Sequence, residues 1–282
     1  MEKQLVLRGA FVGTVAGLLA YLFARILAEP QINKAIDYES GREAAQRLLD
    51  KAAGLPAEAP GSDVFSRTVQ ENVGLGVGMV LFGLAMGVLF AVVYAICLGR
   101  VGNLRPRSLS LCVASAALLG MYLIPFLKYP ANPPSIGNPD TIKQRSALYL
   151  TMVLGSIAVL FLAVWLGRRL QARLGNWNAT LVACGFVIVM ITILMIALPP
   201  FGHLASNHGS GNNGSETPVA LRDAHGTIVY PGFPADVLFN FRLTSIGAQL
   251  LLWAAIGVGF APLAERLLRP PAARERERTG VT

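Results

Sequence analysis

Residues Leu5–Glu39 read LVLRGAFVGTVAGLLAYLFARILAEPQINKAIDYE. An apolar run from Leu5 to Leu27 gives way at once to a segment carrying Glu29, Asn33, Lys34, Asp37 and Glu39. About 20 apolar residues in helical form cross the hydrocarbon core of a bilayer, so the run is a membrane span and the polar segment marks where the chain leaves the lipid. Lys3 and Arg8 near its start give it a superficial likeness to a signal peptide. Its length, the embedded Arg25 and the lack of a small-x-small cleavage site read instead as a retained helix.

Five further runs of the same kind follow, at about 73–98, 109–127, 147–166, 179–198 and 245–263. In hydrocarbon every backbone polar group must find its partner within the chain, which makes each run a helix. The composition agrees: 54% of the 282 residues are hydrophobic, 14% are charged, and the mean hydropathy is +0.53. These values belong to a polytopic membrane protein. The expected fold is an all-α membrane helix bundle of six transmembrane helices, forming a single integral membrane domain over residues 1–282.

A net charge of +8 raises the question of a nucleic-acid partner, and the positions of the charges answer it. Arg100, Arg105 and Arg107 fall between the second and third runs, Arg168, Arg169 and Arg173 between the fourth and fifth, and further Lys and Arg at both termini. Positively charged short connections stay on the cytoplasmic side. Both termini are therefore expected to be cytoplasmic, the basic excess is a topology signal, and the partner it implies is the lipid bilayer, not nucleic acid.

The same count places the long connections, 28–72, 128–146 and 199–244, outside. In the first, Ser40-Gly-Arg-Glu43 is a capping-box pattern. Ala44, Ala45, Leu48, Leu49 and Ala52 follow at helical spacing until Gly54 and Pro56, which predicts a short amphipathic helix. Thr68-x-x-Glu71 reads as a second cap. The loop Lys128–Asp140 holds four prolines, which favour a stiff, extended path. The third connection is rich in Gly, Asn and Ser around 207–215 and holds His203, His208 and His225, a composition that predicts mobility.

Within the spans, Gly9, Gly13 and Gly17 recur at intervals of four, as do Gly83, Gly87, Ala91 and Ala95. Such faces let backbones approach closely and predict packing of the first span on the second. Apart from Arg8 and Arg25, the runs carry no ionisable Asp, Glu, Lys, Arg or His. That disfavours a buried acidic proton relay and an intramembrane hydrolase, and no GxxxxGK[ST] loop offers a nucleotide site. The three cysteines, Cys97, Cys112 and Cys184, show no metal-finger spacing. No enzyme and no resident cofactor are expected.

Candidate cation ligands gather on the expected outer side. Glu29, Asn33 and Asp37 fall at i, i+4 and i+8 and form one oxygen-bearing stripe if Pro30 opens a helix. The same stripe is what the solvated side of an interfacial helix would show. Imidazole suits cobalt, nickel, copper and zinc, and His203 and His208 are the candidates to supply it.

Two long motifs carry a family resemblance. Glu29-Pro-Gln-Ile-Asn-Lys-Ala-Ile-Asp-Tyr-Glu39 after the first span and Phe126-Leu-Lys-Tyr-Pro-Ala-Asn-Pro-Pro-Ser-Ile-Gly137 after the third resemble the CbtA family of probable cobalt transporter subunits. The resemblance extends from Leu7 to the last span. It implies uptake of cobalt ion, as transported substrate, across a bacterial inner membrane in support of cobalamin synthesis, and a small single-helix companion subunit carrying histidines. The family is usually described with five spans, whereas this sequence reads as six. Two other readings stand beside importer subunit: a non-transporting scaffold for a metal-binding partner, and a carrier of an organic, corrinoid-like ligand with Tyr129, Trp165, Trp177 and Trp253 as stacking groups.

Overall fold

Apolar runs that can satisfy their backbone only internally are helices in the computed structural model, which describes residues 2–55, 69–134, 136–204, 207 and 216–268. The elements are α1 (Glu2–Leu27), α2 (Glu29–Ala52), α3 (Leu75–Cys97) after a π-helical turn at Gln70–Gly74, and α4 (Pro106–Leu118). A second π-helical turn, Leu119–Leu123, joins α4 to α5 (Ile124–Lys128). After a 3₁₀ turn at Pro139–Thr141 come α6 (Ile142–Ala197), a 3₁₀ turn at Phe201–His203, β1 (Leu221–Arg222), β2 (Ile228–Tyr230) and α7 (Ala235–Leu268). The protein is an all-α multi-pass membrane bundle, with one small antiparallel β-ribbon as its only sheet among the described residues.

Among the described residues five helical stretches are long and apolar enough to cross a membrane, and one of them, Pro139–His203, has 65 residues. At 1.5 Å per residue that is roughly three times the ~30 Å hydrocarbon core, far too long for one crossing. The excess is resolved at Gly175, whose φ of 73° and ψ of 170° interrupt α6. The two limbs, 142–174 and 176–197, fold back on each other: Gly167 faces Ala183, and Gly155 faces Leu194. Met152 and Val159 of the first limb and Ile191 of the second share one buried cluster. The five stretches therefore supply six membrane-length limbs. Their lipid-type surface is plain on the second limb, where Ile188, Val189, Ile193 and Ile196 are exposed, the last to 79%.

Several helix ends differ from those read off hydropathy. The helix expected to open at Ser40 starts instead at Glu29, directly after α1, so Ser40 lies inside α2. The last helix starts at Ala235 and not at Ser245, and α6 starts at Ile142 and not at Ala147. One reason covers all three: hydropathy marks where a helix meets lipid, while the backbone hydrogen-bond ladder continues through polar residues once nucleated. The expected Thr68–Glu71 cap lies outside the described residues.

The chain packs as two compact units, the first comprising Met1–Arg25, Ser66–Leu118 and Gly247–Thr282, the second Ile26–Phe65 and Leu119–Ile246. In the first, α1 and α3 cross at their glycines. A Cβ on Gly13 would meet the Gly83 carbonyl oxygen and the Gly87 backbone, and one on Gly87 would meet the backbone of Gly9 and Gly13. Backbone contact of this kind, which only glycine permits, is the packing the intervals of four foretell. Residues 247–268 of α7 close this unit: Phe260 packs edge-on against Phe90 and Tyr94, Ser110 Oγ donates to the Gly257 carbonyl at 2.7 Å, and Arg107 meets Glu265 at 2.6 Å. Near the other end of α1, Arg25 Nε donates to Asn72 Oδ1 at 3.1 Å.

The second unit holds α2, α5, the proline-rich loop, folded α6, the β-ribbon and the first turns of α7. Ala35 and Tyr38 of α2 bury against Ile136 of the loop, with Tyr230 and Phe233 completing the cluster. This packing is why α2 is ordered here: its apolar face is too weak to stand alone and is covered by aromatic rings. Tyr38 lies 5.1 Å from Phe233, edge-on, and donates its hydroxyl to the Pro231 carbonyl at 2.9 Å.

Candidate functional site

The loop between α5 and α6 is the framework of the site, and its prolines alone do not hold it. Tyr129 anchors its start: the ring stacks on Phe201 at 4.1 Å and 9°, and the hydroxyl donates to the Pro199 carbonyl at 2.8 Å. Arg242, in the first turns of α7, reaches its middle, with Nε donating to the Ala131 carbonyl at 3.1 Å and Nη2 to Asn132 Oδ1 at 2.9 Å. At its end Asn138 Oδ1 accepts from the Asp140 backbone N–H at 3.0 Å, and Thr141 Oγ1 donates to the Asn138 carbonyl at 2.7 Å. Gly137 sits at φ 129°, where a Cβ would be 2.7 Å from Arg145 Nη1. Glycine here lets the Arg145 guanidinium lie against the loop.

A cavity of about 550 Å³ lies beneath this loop. Tyr122, Phe126, Tyr129, Tyr149 and Phe201 give it aromatic walls, and Asn132, Arg145 and Glu216 give it polar ones. Volume and lining both fall in the range of small-molecule sites, which are mainly apolar with a few placed polar groups.

Glu216 is the central charge. It accepts a hydrogen bond from the Asn132 side chain and feels the guanidinium groups of Arg145 and Arg242. Asn132 therefore bridges Arg242, which donates to its oxygen, and Glu216. Burial nevertheless raises the Glu216 carboxyl above its ordinary value of 4.5, with Arg145, the Asn132 hydrogen bond and Arg242 opposing the shift. Desolvation disfavours the charged form of any carboxyl, and here it outweighs the partners. Tyr129 is pushed up likewise, by burial first and the Glu216 charge second.

Three polar atoms around the cavity are buried and lack a hydrogen-bond partner among the described residues: Glu216 Oε1, Arg145 Nε and the Tyr122 hydroxyl. Buried polar groups are nearly always paired, so three around one cavity require a reason.

A smaller cavity, about 320 Å³, is formed by Tyr38, Glu39, Arg42, Glu43 and Gln46 of α2 with residues 136–139 and Pro218. Arg42 Nη1 donates to the Val219 carbonyl at 2.6 Å, fastening α2 to the segment that leads from Glu216 to the β-ribbon.

The residues expected as ligands are placed unequally. Glu29 is 1% exposed, in the first turn of α2, where a carboxylate also complements the helix dipole. Asn33 and Asp37 are exposed. The drift of about 40° per step along an i, i+4, i+8 stripe carries them away from Glu29, while Ala35 and Tyr38 take the packed side. His203 is exposed in the 3₁₀ turn after α6, and His208 lies outside the described residues. Among the described residues no three or more His, Cys, Asp or Glu side chains come together as a metal-binding group. Of the corrinoid-stacking candidates, Tyr129 lines the cavity. Trp165 and Trp177 are exposed and Trp253 is buried.

Sequence reading passed over Glu216, Arg145 and Arg242. Glu216 sits in a segment whose composition spells mobility, and the two arginines lie just outside apolar runs, where charge is ordinary. The one available signal is that each arginine falls in the first turns of a helix that begins before its apolar run.

One family model, described as Probable cobalt transporter subunit (CbtA), matches residues 2–265. No curated protein and no solved structure matches the chain.

Proposed function

Because this chain belongs to the CbtA family of probable cobalt transporter subunits, we propose that it is the permease-like subunit of a divalent cobalt importer in the bacterial inner membrane, serving cobalamin synthesis. The observation that supports this reading most is the reach of the family match, which covers both polar motifs and extends into each membrane-length helix among the described residues. In this reading both termini are cytoplasmic, and α2 with the loop Lys128–Asp140 forms the outer entrance. A stiff mouth of fixed carbonyls and side-chain oxygens can exchange with the hydration shell of an arriving cation one ligand at a time. Glu29, Asn33 and Asp37 are the proposed oxygen ligands, and His203 and His208 the proposed nitrogen ligands.

A bare divalent cation is costly within an uncharged helix bundle, so further ligands are required along the path. Backbone carbonyls, water and a small single-helix companion subunit carrying histidines supply them in this proposal. Transport, not catalysis, is the inferred activity. Uptake of cobalt-57 into proteoliposomes tests it. Vesicles holding this chain with the companion should accumulate the metal well above empty vesicles, and Glu29→Gln with Asp37→Asn should reduce the rate. Accumulation by the companion alone, unchanged when this chain is added, refutes the importer reading and leaves a non-transporting scaffold. The alternative of an organic cargo draws support from one observation, the aromatic and arginine-bearing cavity under the loop.

A further inference from the structure

The cavity beneath the proline-rich loop has the wrong charge for a bare cation. Arg145 lines it, Arg242 stands behind Asn132, and Glu216 is the single carboxylate between them among the described residues. Two guanidinium groups against one carboxylate leave a positive excess, and a guanidinium cannot be deprotonated to relieve it. An incoming Co²⁺ would be repelled, whereas an anion would be drawn in.

The unpaired atoms specify the anion further. Arg145 Nε is a donor, the Tyr122 hydroxyl donates or accepts, and Glu216 Oε1 accepts when ionised. A carboxylate answers the first two together, since arginine and phenol both donate to its oxygens. An alcohol hydroxyl answers the third by donating to Glu216 Oε1. The carbon skeleton between those groups would rest on the rings of Tyr149 and Phe126. We propose that this cavity binds a small hydroxycarboxylate, with its carboxylate on Arg145 and Tyr122 and its hydroxyl on Glu216. Such a ligand comes from two sources, the free acid or an anionic chelate of the transported metal, and both present the same carboxylate to Arg145. The chelate source rests on the transport reading above; the binding chemistry does not.

The test uses the purified full chain in detergent, with calorimetry and thermal unfolding as readouts that need no transport. Probes are citrate, a preformed cobalt–citrate complex, benzoate as a carboxylate without the hydroxyl, and cobalt chloride. Citrate or its cobalt complex should bind saturably and raise the melting temperature, more strongly than benzoate. Arg145→Gln should weaken that binding tenfold or more, and Tyr122→Phe severalfold, while Glu216→Gln should erase the advantage of citrate over benzoate. Tyr122→Phe removes one oxygen from a residue that otherwise packs by its ring, so it stands as the check if Arg145→Gln does not fold. Tighter binding of the cobalt complex than of citrate identifies the metal chelate as the ligand; the reverse identifies the free acid. The proposal is overturned if neither carboxylate binds, if binding ignores Arg145 and Tyr122, or if cobalt chloride alone binds through Glu216. Because transport is not measured, these failures leave the importer reading to its own uptake experiment.

Discussion

Glu216 shows how one residue can hold opposed demands. Burial pushes its carboxyl upward while Arg145, Asn132 and Arg242 pull it down. A carboxyl whose folded value is raised gives stability that is fully present below its unfolded value and is lost as pH rises through the folded one. Melting temperature should therefore fall across the range above 4.5, relative to Glu216→Gln, whose amide does not titrate. Parallel melting curves of the two proteins over that range check this, and superimposable pH profiles would remove the burial argument. The loop around Glu216 makes the residue meaningful: Arg242 holds two points of it by hydrogen bonds, and charged donors are worth about 1.5–3 kcal/mol each when buried.

Among elements, α6 carries the most instructive compromise. Hydropathy runs almost unbroken through it, and only the basic interval containing Arg168, Arg169 and Arg173 separates its two apolar runs. The helix continues through that interval and turns at Gly175, in a region of φ and ψ that essentially only glycine occupies. Gly175→Val should cost about 1–3 kcal/mol, the usual strain of such a backbone position. Denaturant or thermal unfolding in detergent reads this directly. A neutral result would mean that the limbs 142–174 and 176–197 are held together by Met152, Val159 and Ile191 strongly enough to move the turn elsewhere. α2 poses the opposite case, a charged helix whose order comes from Tyr38 and Ala35 packed under Ile136 and Phe233.

For the whole molecule, the distribution of arginines gives a falsifiable arrangement in the membrane. In the proposed orientation, with both termini inside, the apex of α6 would face the cytoplasm and the β-ribbon would face outward. In a background lacking the native Cys97, Cys112 and Cys184, Ala224→Cys should react with an impermeant maleimide in intact cells. Asn176→Cys should react only after permeabilisation. Both positions are exposed, so reactivity reports sidedness and not burial. The opposite pattern would invert the topology, and with it the assignment of the loop Lys128–Asp140 as an entrance.

The sequence by itself determined the membrane class, the six apolar limbs and the close crossing at Gly9, Gly13, Gly17, Gly83 and Gly87. Each follows from a local rule: length against bilayer thickness and small residues at intervals of four. Helix ends were less legible, because Ser40 can cap or simply continue a helix, and the ladder arriving from Glu29 made it continue. The charged site was not legible at all. Asn132, Arg145, Glu216 and Arg242 lie on a loop, two helices and a segment of low complexity, and no periodicity links them. Only tertiary packing brings them around one cavity, since the interaction of buried charges depends on distance and dielectric, neither of which is written along the chain. The stretch from Glu29 to Glu39 divides the same way. Its oxygen-bearing spacing is written in its residues, while its order as a helix, the burial of Glu29 and the exposure of Asn33 and Asp37 were decided by what α2 packs against.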